Sequence, residues 1–239
     1  LRKAFVISDI HGCYEPFMKL LENWNPEMEL IILGDVINRG KDSLKVVQQL
    51  IKLKGLYREK VKIIKGNHED MFLDFLDSPV GNGRKFDMVG GGETIISFAG
   101  DDAIMKRNIE DIARVVRQRA EREIDFIRNL PLYYAFGEVL FVHAGIDAAT
   151  KDWRQAPDKD FMWYDMMPVD ENKTGLTIVF GHTPTRILHQ DRINNDVWVS
   201  EDGSYIGIDG GYIFGGQMNA IIIDERGEVL ASYFETSNT

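Results

Sequence analysis

Cysteine is nearly absent: Cys13 is the only one in 239 residues, which excludes an internal disulfide framework and a thiolate zinc cluster. Proline is scarce at seven, and no Pro- or Ser-rich stretch reads as a linker. No apolar run approaches the roughly 20 residues that a bilayer crossing needs. Leu1-Arg2-Lys3 leads into a strand-like run without a signal-peptide pattern, so a cytoplasmic location is expected. Positive charge is in the minority: 28 Lys and Arg against 38 Asp and Glu leave −10, a field that repels nucleic-acid duplexes and anionic membrane. What is present is an ordinary globular balance, 44% hydrophobic and 28% charged, read as one domain over 1–239 and by default a monomer.

A unit recurs along the chain, in which a short aliphatic run meets a polar loop, often followed by helical spacing. Such runs occupy 4–7, 30–33, 61–64, 139–142 and 176–180, and reappear at 205–209, 219–224 and 228–234, with Arg226-Gly227 as a hairpin turn. Helical stripes fall in 14–24 and 42–54, and the longest predicted helix is 108–129. The glycine-rich segment 78–107 reads as a loop-rich insertion that could line a site, the whole insertion reaching to about 129.

Polar residues follow five of these runs: Asp9 and His11, then Asp35, then Asn67 and His68, then His143, then His182. In open α/β sheets, loops converge over the carboxyl ends of the strands, where ligands bind. Four of the five histidines lie in these loops. Any one such residue reads as a turn former or helix cap. Five groups in order, each at a strand end, point instead to one shared site.

The set resembles the calcineurin-like metallophosphoesterases, in their bacterial and phage lambda-type phosphoprotein phosphatase branch. That pattern is D-x-H, G-D-x-x-D-R-G, G-N-H-E, H-A-G and G-H; here it stands as Asp9-Ile10-His11, Gly34-Asp35-Val36-Ile37-Asn38-Arg39-Gly40, Gly66-Asn67-His68-Glu69, His143-Ala144-Gly145 and Gly181-His182. The resemblance implies an α/β fold of two mixed β-sheets packed as a sandwich, with helices on both outer faces. It implies a two-metal centre, with Asp9 and His11 on one ion, Asn67, His143 and His182 on the other, and Asp35 bridging. Oxygen and imidazole ligands without thiolate suit Mn²⁺, with Fe or Zn²⁺ compatible. Two ions about 3.5–4 Å apart clamp a phosphoryl group and activate a bridging hydroxide for direct attack. Arg39 and Asn67 would meet the phosphate, and His68 would protonate the leaving oxygen.

Two positions depart from the pattern. Asn38 stands where the family usually has Asp; an amide can orient His68 but cannot stabilise imidazolium. The second phosphate-binding arginine of the lambda-type enzymes has no counterpart in Met162-Trp163-Tyr164-Asp165, and Arg154 and Arg84 are only distant substitutes. The leading reading is hydrolysis of phosphomonoesters, as in a serine/threonine protein phosphatase. Hydrolysis of diadenosine tetraphosphate is the alternative; Asn38 favours it, and Glu69 speaks against it, since the symmetrical hydrolases tend to carry Asp there. A third reading, of another class, is a catalytically weak phosphoprotein-binding module.

Overall fold

A computed structural model describes residues 1–149, 152–164 and 172–237. In chain order the elements begin β1 (Lys3–Ile7), α1 (Tyr14–Leu21), β2 (Glu29–Ile32), α2 (Ser43–Tyr57), β3 (Val61–Ile63) and α3 (Asn67–Asp77). Four helices follow: α4 (Pro79–Met88), α5 (Gly91–Ala99), α6 (Ile109–Arg119) and α7 (Glu121–Arg128). The second half holds β4 (Tyr133–Phe136), β5 (Val139–Val142), α8 (Asp158–Trp163), β6 (Thr177–Phe180) and α9 (Thr185–Leu188). It closes with β7 (Trp198–Val199), β8 (Tyr205–Gly207), β9 (Gln217–Asp224) and β10 (Val229–Thr236).

The strands form two five-stranded mixed sheets, in the orders β10-β9-β1-β2-β3 and β4-β5-β6-β8-β7. Parallel pairing joins β1, β2 and β3 in one sheet and β5, β6 and β8 in the other, with the remaining strands antiparallel. Side chains alternate across each strand, and the alternation builds three layers. Val6, Ile31, Leu33, Phe141, Val179 and Ile221 fill the space between the sheets. Phe5, Ile7, Leu30 and Ile32 face the other way, onto helices α1 to α7. Leu140, Val142, Ile178 and Phe180 pack against Trp153, Phe161 and Leu188 on the opposite outer face. Each fully buried side chain of this kind contributes about 1.5–3 kcal/mol. The result is the expected sandwich with helices outside.

Four local expectations need correction. The helix expected over 108–129 is two helices, because Ala120 leaves helical geometry at φ −131°, ψ 34°. The apolar stripe keeps its register across that break, so nothing in the pattern marks it. The longest helix among the described residues is α2, with 15 residues. The glycine-rich segment is mostly helical, in α4 and α5: Gly91 lets the backbone approach Phe86, where a Cβ would lie 2.5 Å from the ring. Strands β4 and β7 were missed, being short and half exposed.

Candidate metal centre

Asp9 and His11 follow β1, Asp35, Asn38 and Arg39 follow β2, Asn67 and His68 open α3 after β3, His143 follows β5, and His182 follows β6. Both sheets therefore deliver residues to one place. The delivery is conformationally unusual. Among the described residues, eight non-glycines have positive φ, and Asp9, His11, Asp35, Asn38, Arg39 and His182 are six of them. Such geometry costs of order 1–3 kcal/mol per residue and persists only where surrounding bonds over-determine it. Here they do. His11 and Gly12 donate backbone N–H bonds to the carbonyls of Asp35 (2.8 Å) and Val36 (2.9 Å), and Gly40 N–H donates back to His11 (2.9 Å). A Cβ at Gly40 would stand 2.3 Å from that His11 oxygen. Glu69, fully buried, accepts from the N–H groups of Asp35 (2.8 Å), Val36 (2.9 Å) and Gly66 (2.9 Å). Burial, reinforced by the Asp35 charge, pushes the Glu69 carboxyl up to about 7.

The Asp35 carboxylate lies at the centre. Its Oδ1 accepts the His68 backbone N–H at 3.0 Å and is 3.4 Å from His143 Nε2. Its Oδ2 is 3.7 Å from His11 Nε2 and 3.8 Å from His68 Nε2. Two groups of donors with all atoms within 4.8 Å of one another result: His11, Asp35 and His68, and Asp35, His143 and His182. Asn67 joins the second, with Oδ1 2.9 Å from His143 Nε2 and 3.1 Å from His182 Nδ1. Asp9 lies outside both groups. Its carboxylate accepts from the Ser8 hydroxyl and, at 3.1 Å, from the His182 backbone N–H.

The donors suit cations. His11 Nδ1 and His143 Nδ1 each bond a backbone carbonyl, of Ile37 (3.0 Å) and Leu33 (2.7 Å), which turns both Nε2 atoms toward Asp35. Such fixed outer bonds are how metal-binding histidines are oriented. The Asn67 oxygen faces two imidazole nitrogens; turned over, its NH₂ would donate to both and to Asp35. Buried negative charge is also crowded. Burial and Asp209 hold the Asp9 carboxyl well above the ordinary range, and burial pushes Asp209 up to about 6. Burial alone would lower His143, but the Asp35 charge and hydrogen bond hold it up at about 10. Burial lowers His11 to about 3 and His68 to about 4, against the opposing pull of Asp35.

Asn38 Nδ2 donates to His68 Nδ1 at 2.8 Å, so the neutral ring carries its proton on Nε2. Among the described residues the buried Asn38 Oδ1 has no hydrogen-bond partner. Arg39 Nη1 lies 2.8 Å from His11 Nε2, and its backbone N–H is held by Gly90 at 3.0 Å. Arg154 stacks over Trp153 at 4.4 Å, and Arg84 is exposed on α4. Asp165 and the span 165–171 lie outside the described residues. Sequence reasoning gave no role to Asp209, though it follows β8 as the other acids follow their strands. Phe214, in the segment after Asp209, lies 4.8 Å from the Arg39 guanidinium and 5.7 Å from that of Arg186.

The family described as calcineurin-like phosphoesterase matches residues 2–211. Serine/threonine-protein phosphatase 1 of Salmonella typhimurium is 27% identical over 91% of this chain and 90% of its own. Asymmetrical bis(5'-nucleosyl)-tetraphosphatase PrpE of Anoxybacillus flavithermus is 25% identical over 90% and 88%. A symmetrical bis(5'-nucleosyl)-tetraphosphatase of Buchnera aphidicola is 42% identical, but over 32% of this chain and only 33% of its own length. A solved structure provisionally named a diadenosine tetraphosphatase superposes over 100% of this chain and 95% of its own, with a TM-score of 0.67 at 16% identity.

Proposed function

The chain belongs to the calcineurin-like phosphoesterase family, and from that premise we propose that the pocket around Asp35 hydrolyses phosphomonoesters, serine/threonine phosphoproteins among them. One observation carries the reading: the buried Asp35 carboxylate faces His11 through Oδ2 and, through Oδ1, the group of His143, His182 and Asn67, so one acid stands between two sets of donors. Manganese is the proposed metal at both positions, with Asp9 and His11 the proposed ligands of the first. When bound, the ions supply Lewis acidity, an activated water and charge neutralisation for the phosphoryl group. The chain supplies the rest. Arg39, anchored at Gly90, turns its guanidinium toward the site beside His11 and meets phosphate oxygens there. His68 presents Nε2–H to the leaving oxygen and is steered by Asn38 through Nδ1. Asn67 offers its amide to the phosphate or to the second cation.

A second reading is hydrolysis of dinucleoside polyphosphates. Asn38 favours it, since a phosphate leaving group is weakly basic and needs less help from an acid. Two of the relatives named above carry that activity in their names. A cytoplasmic monomer is the proposed form; among the described residues no helix is long and apolar enough to cross a membrane.

The test is p-nitrophenyl phosphate turnover with Mn²⁺, Fe²⁺ or Zn²⁺, together with bound-metal analysis, for the parent and Asp35→Asn. Expected are two metals per parent chain, fewer in the variant, and a rate loss on the order of 10³ or more, typical of removing a metal ligand and its charge. Turnover in the parent dismisses the phosphoprotein-binding-module reading, and a parent that binds metal but cleaves neither p-nitrophenyl phosphate nor diadenosine tetraphosphate overturns the hydrolase reading.

A further inference from the structure

Beside the Asp35 site, past Arg39, lies a second arginine that the reading above does not use, Arg186. Phe214 projects from a short turn, Tyr212–Phe214, bounded by Gly211 at φ +67° and Gly215 at φ +82°, and its side chain is half exposed. Two guanidinium groups approach its ring: Arg39 at 4.8 Å from the centroid and Arg186 at 5.7 Å. Arg39 also touches His11, so the ring links Arg186 to the phosphate position. Arg186 comes from α9, the turn that follows His182, and that turn is pinned by the Thr185 N–H bond to the Asp209 carbonyl at 2.7 Å. Arg186 also borders a cavity of about 580 Å³, shared with Ile187, Gln190, Asp191 and Arg192. Among the described residues neither Arg186 nor Arg192 forms an ion pair, although the chain carries a net −10. Cation–π contacts hold two like charges near one another at an exposed ring.

We propose that Arg186, supported by Phe214, receives a second phosphate group of the substrate, adjacent to the one held at Arg39. The inference rests on the Asp35 pocket being the phosphoester-hydrolysing centre. The recognised chemistry is a phosphate dianion or anhydride-linked phosphoryl group, bound by a guanidinium fork. Two sources carry it: the polyphosphate chain of a nucleotide, and a second phosphorylated side chain on a peptide. Asp191 borders the same cavity and limits the bound charge on that side.

The experiment compares calorimetric affinities of the Mn²⁺-loaded protein for AMP and ADP, and for a phosphothreonine peptide and the same peptide carrying an adjacent second phosphothreonine. The samples are the parent, Arg186→Ala, Arg186→Lys and Arg84→Ala, the last an exposed arginine on α4. We expect the parent to prefer the doubly phosphorylated member of at least one pair by about tenfold, the scale of one charge-assisted contact. Arg186→Ala brings that ratio to within about twofold, Arg186→Lys retains part of it, and Arg84→Ala keeps it. The pair that shows the preference identifies the source. A parent without preference in both pairs, or an Arg186→Ala protein that keeps it, overturns the inference. Turnover of p-nitrophenyl phosphate in the parent sample is read separately: its absence sinks the hydrolase reading, while the affinity ratio still decides Arg186.

Discussion

Asn38 offers His68 Nδ1 a proton rather than a lone pair, and among the described residues its own buried oxygen is left without a donor. A carboxylate in that place would reverse both facts: it would accept from Nδ1–H and favour the charged ring. His68, which burial holds down at about 4, would then titrate higher, and the basic limb of the pH–rate profile would move up with it. Asn38→Asp should raise the rate on a phosphothreonine peptide by about a hundredfold or more, toward the roughly 10⁴ that the reverse change costs in the serine-protease triad. Hydrolysis of diadenosine tetraphosphate should change little, because its leaving group is weakly basic. Initial rates on both substrates check this, and a peptide rate unmoved by the change would remove His68 as the acid.

At the level of elements, the loop after β2 and the start of α3 are a single unit because Glu69 joins them. One carboxylate accepts three backbone N–H groups, two from the β2 loop and one from Gly66, where a Cβ would stand 2.3 Å from Asp35 Oδ1. In Glu69→Gln the amide has one oxygen for these donors and turns an NH₂ toward the rest. The variant should lose about 1–3 kcal/mol of stability, and Mn²⁺ affinity should fall as Asp35 loosens. Chemical denaturation with metal titration measures both; a wild-type midpoint would show that the clamp is dispensable. The strands that feed the site were legible because aliphatic runs such as Leu30–Leu33 and Val139–Val142 are buried on both faces. The helical character of 79–99 was not, because Gly83 and Gly91 serve close approach to Ile109 and Phe86 rather than a loop, and the apolar stripe carries no mark of the break at Ala120.

On the scale of the molecule, the site is a clasp between two sheets, with Asp35 from one and His143 and His182 from the other. Saturating metal at about a thousand times Kd should therefore raise Tm by roughly 8–16 °C for each ion bound. Without metal the same contacts give a pH dependence of known sign. His143 is a base raised from 6.5 to about 10 by Asp35, so its contribution is complete below 6.5 and is lost as pH rises through about 10. Stability in EDTA should fall across that window by up to about 1.4 kcal/mol per pH unit, and Mn²⁺ should flatten the slope by holding the ring neutral. A flat EDTA profile would separate His143 from Asp35. The sequence by itself determined the fold class and the family, because buried parallel strands and a five-part motif in fixed order are properties of residue type and spacing. It also named the residues that meet at Asp35, since strand ends of one sheet type converge. Only the tertiary structure decided that Asp9 turns to Ser8 and the His182 amide, that His68 stands within reach of Asp35, and that Arg186 reaches Phe214 beside Arg39. Those relations join loops far apart in sequence, and their distances are set by how the two sheets pack.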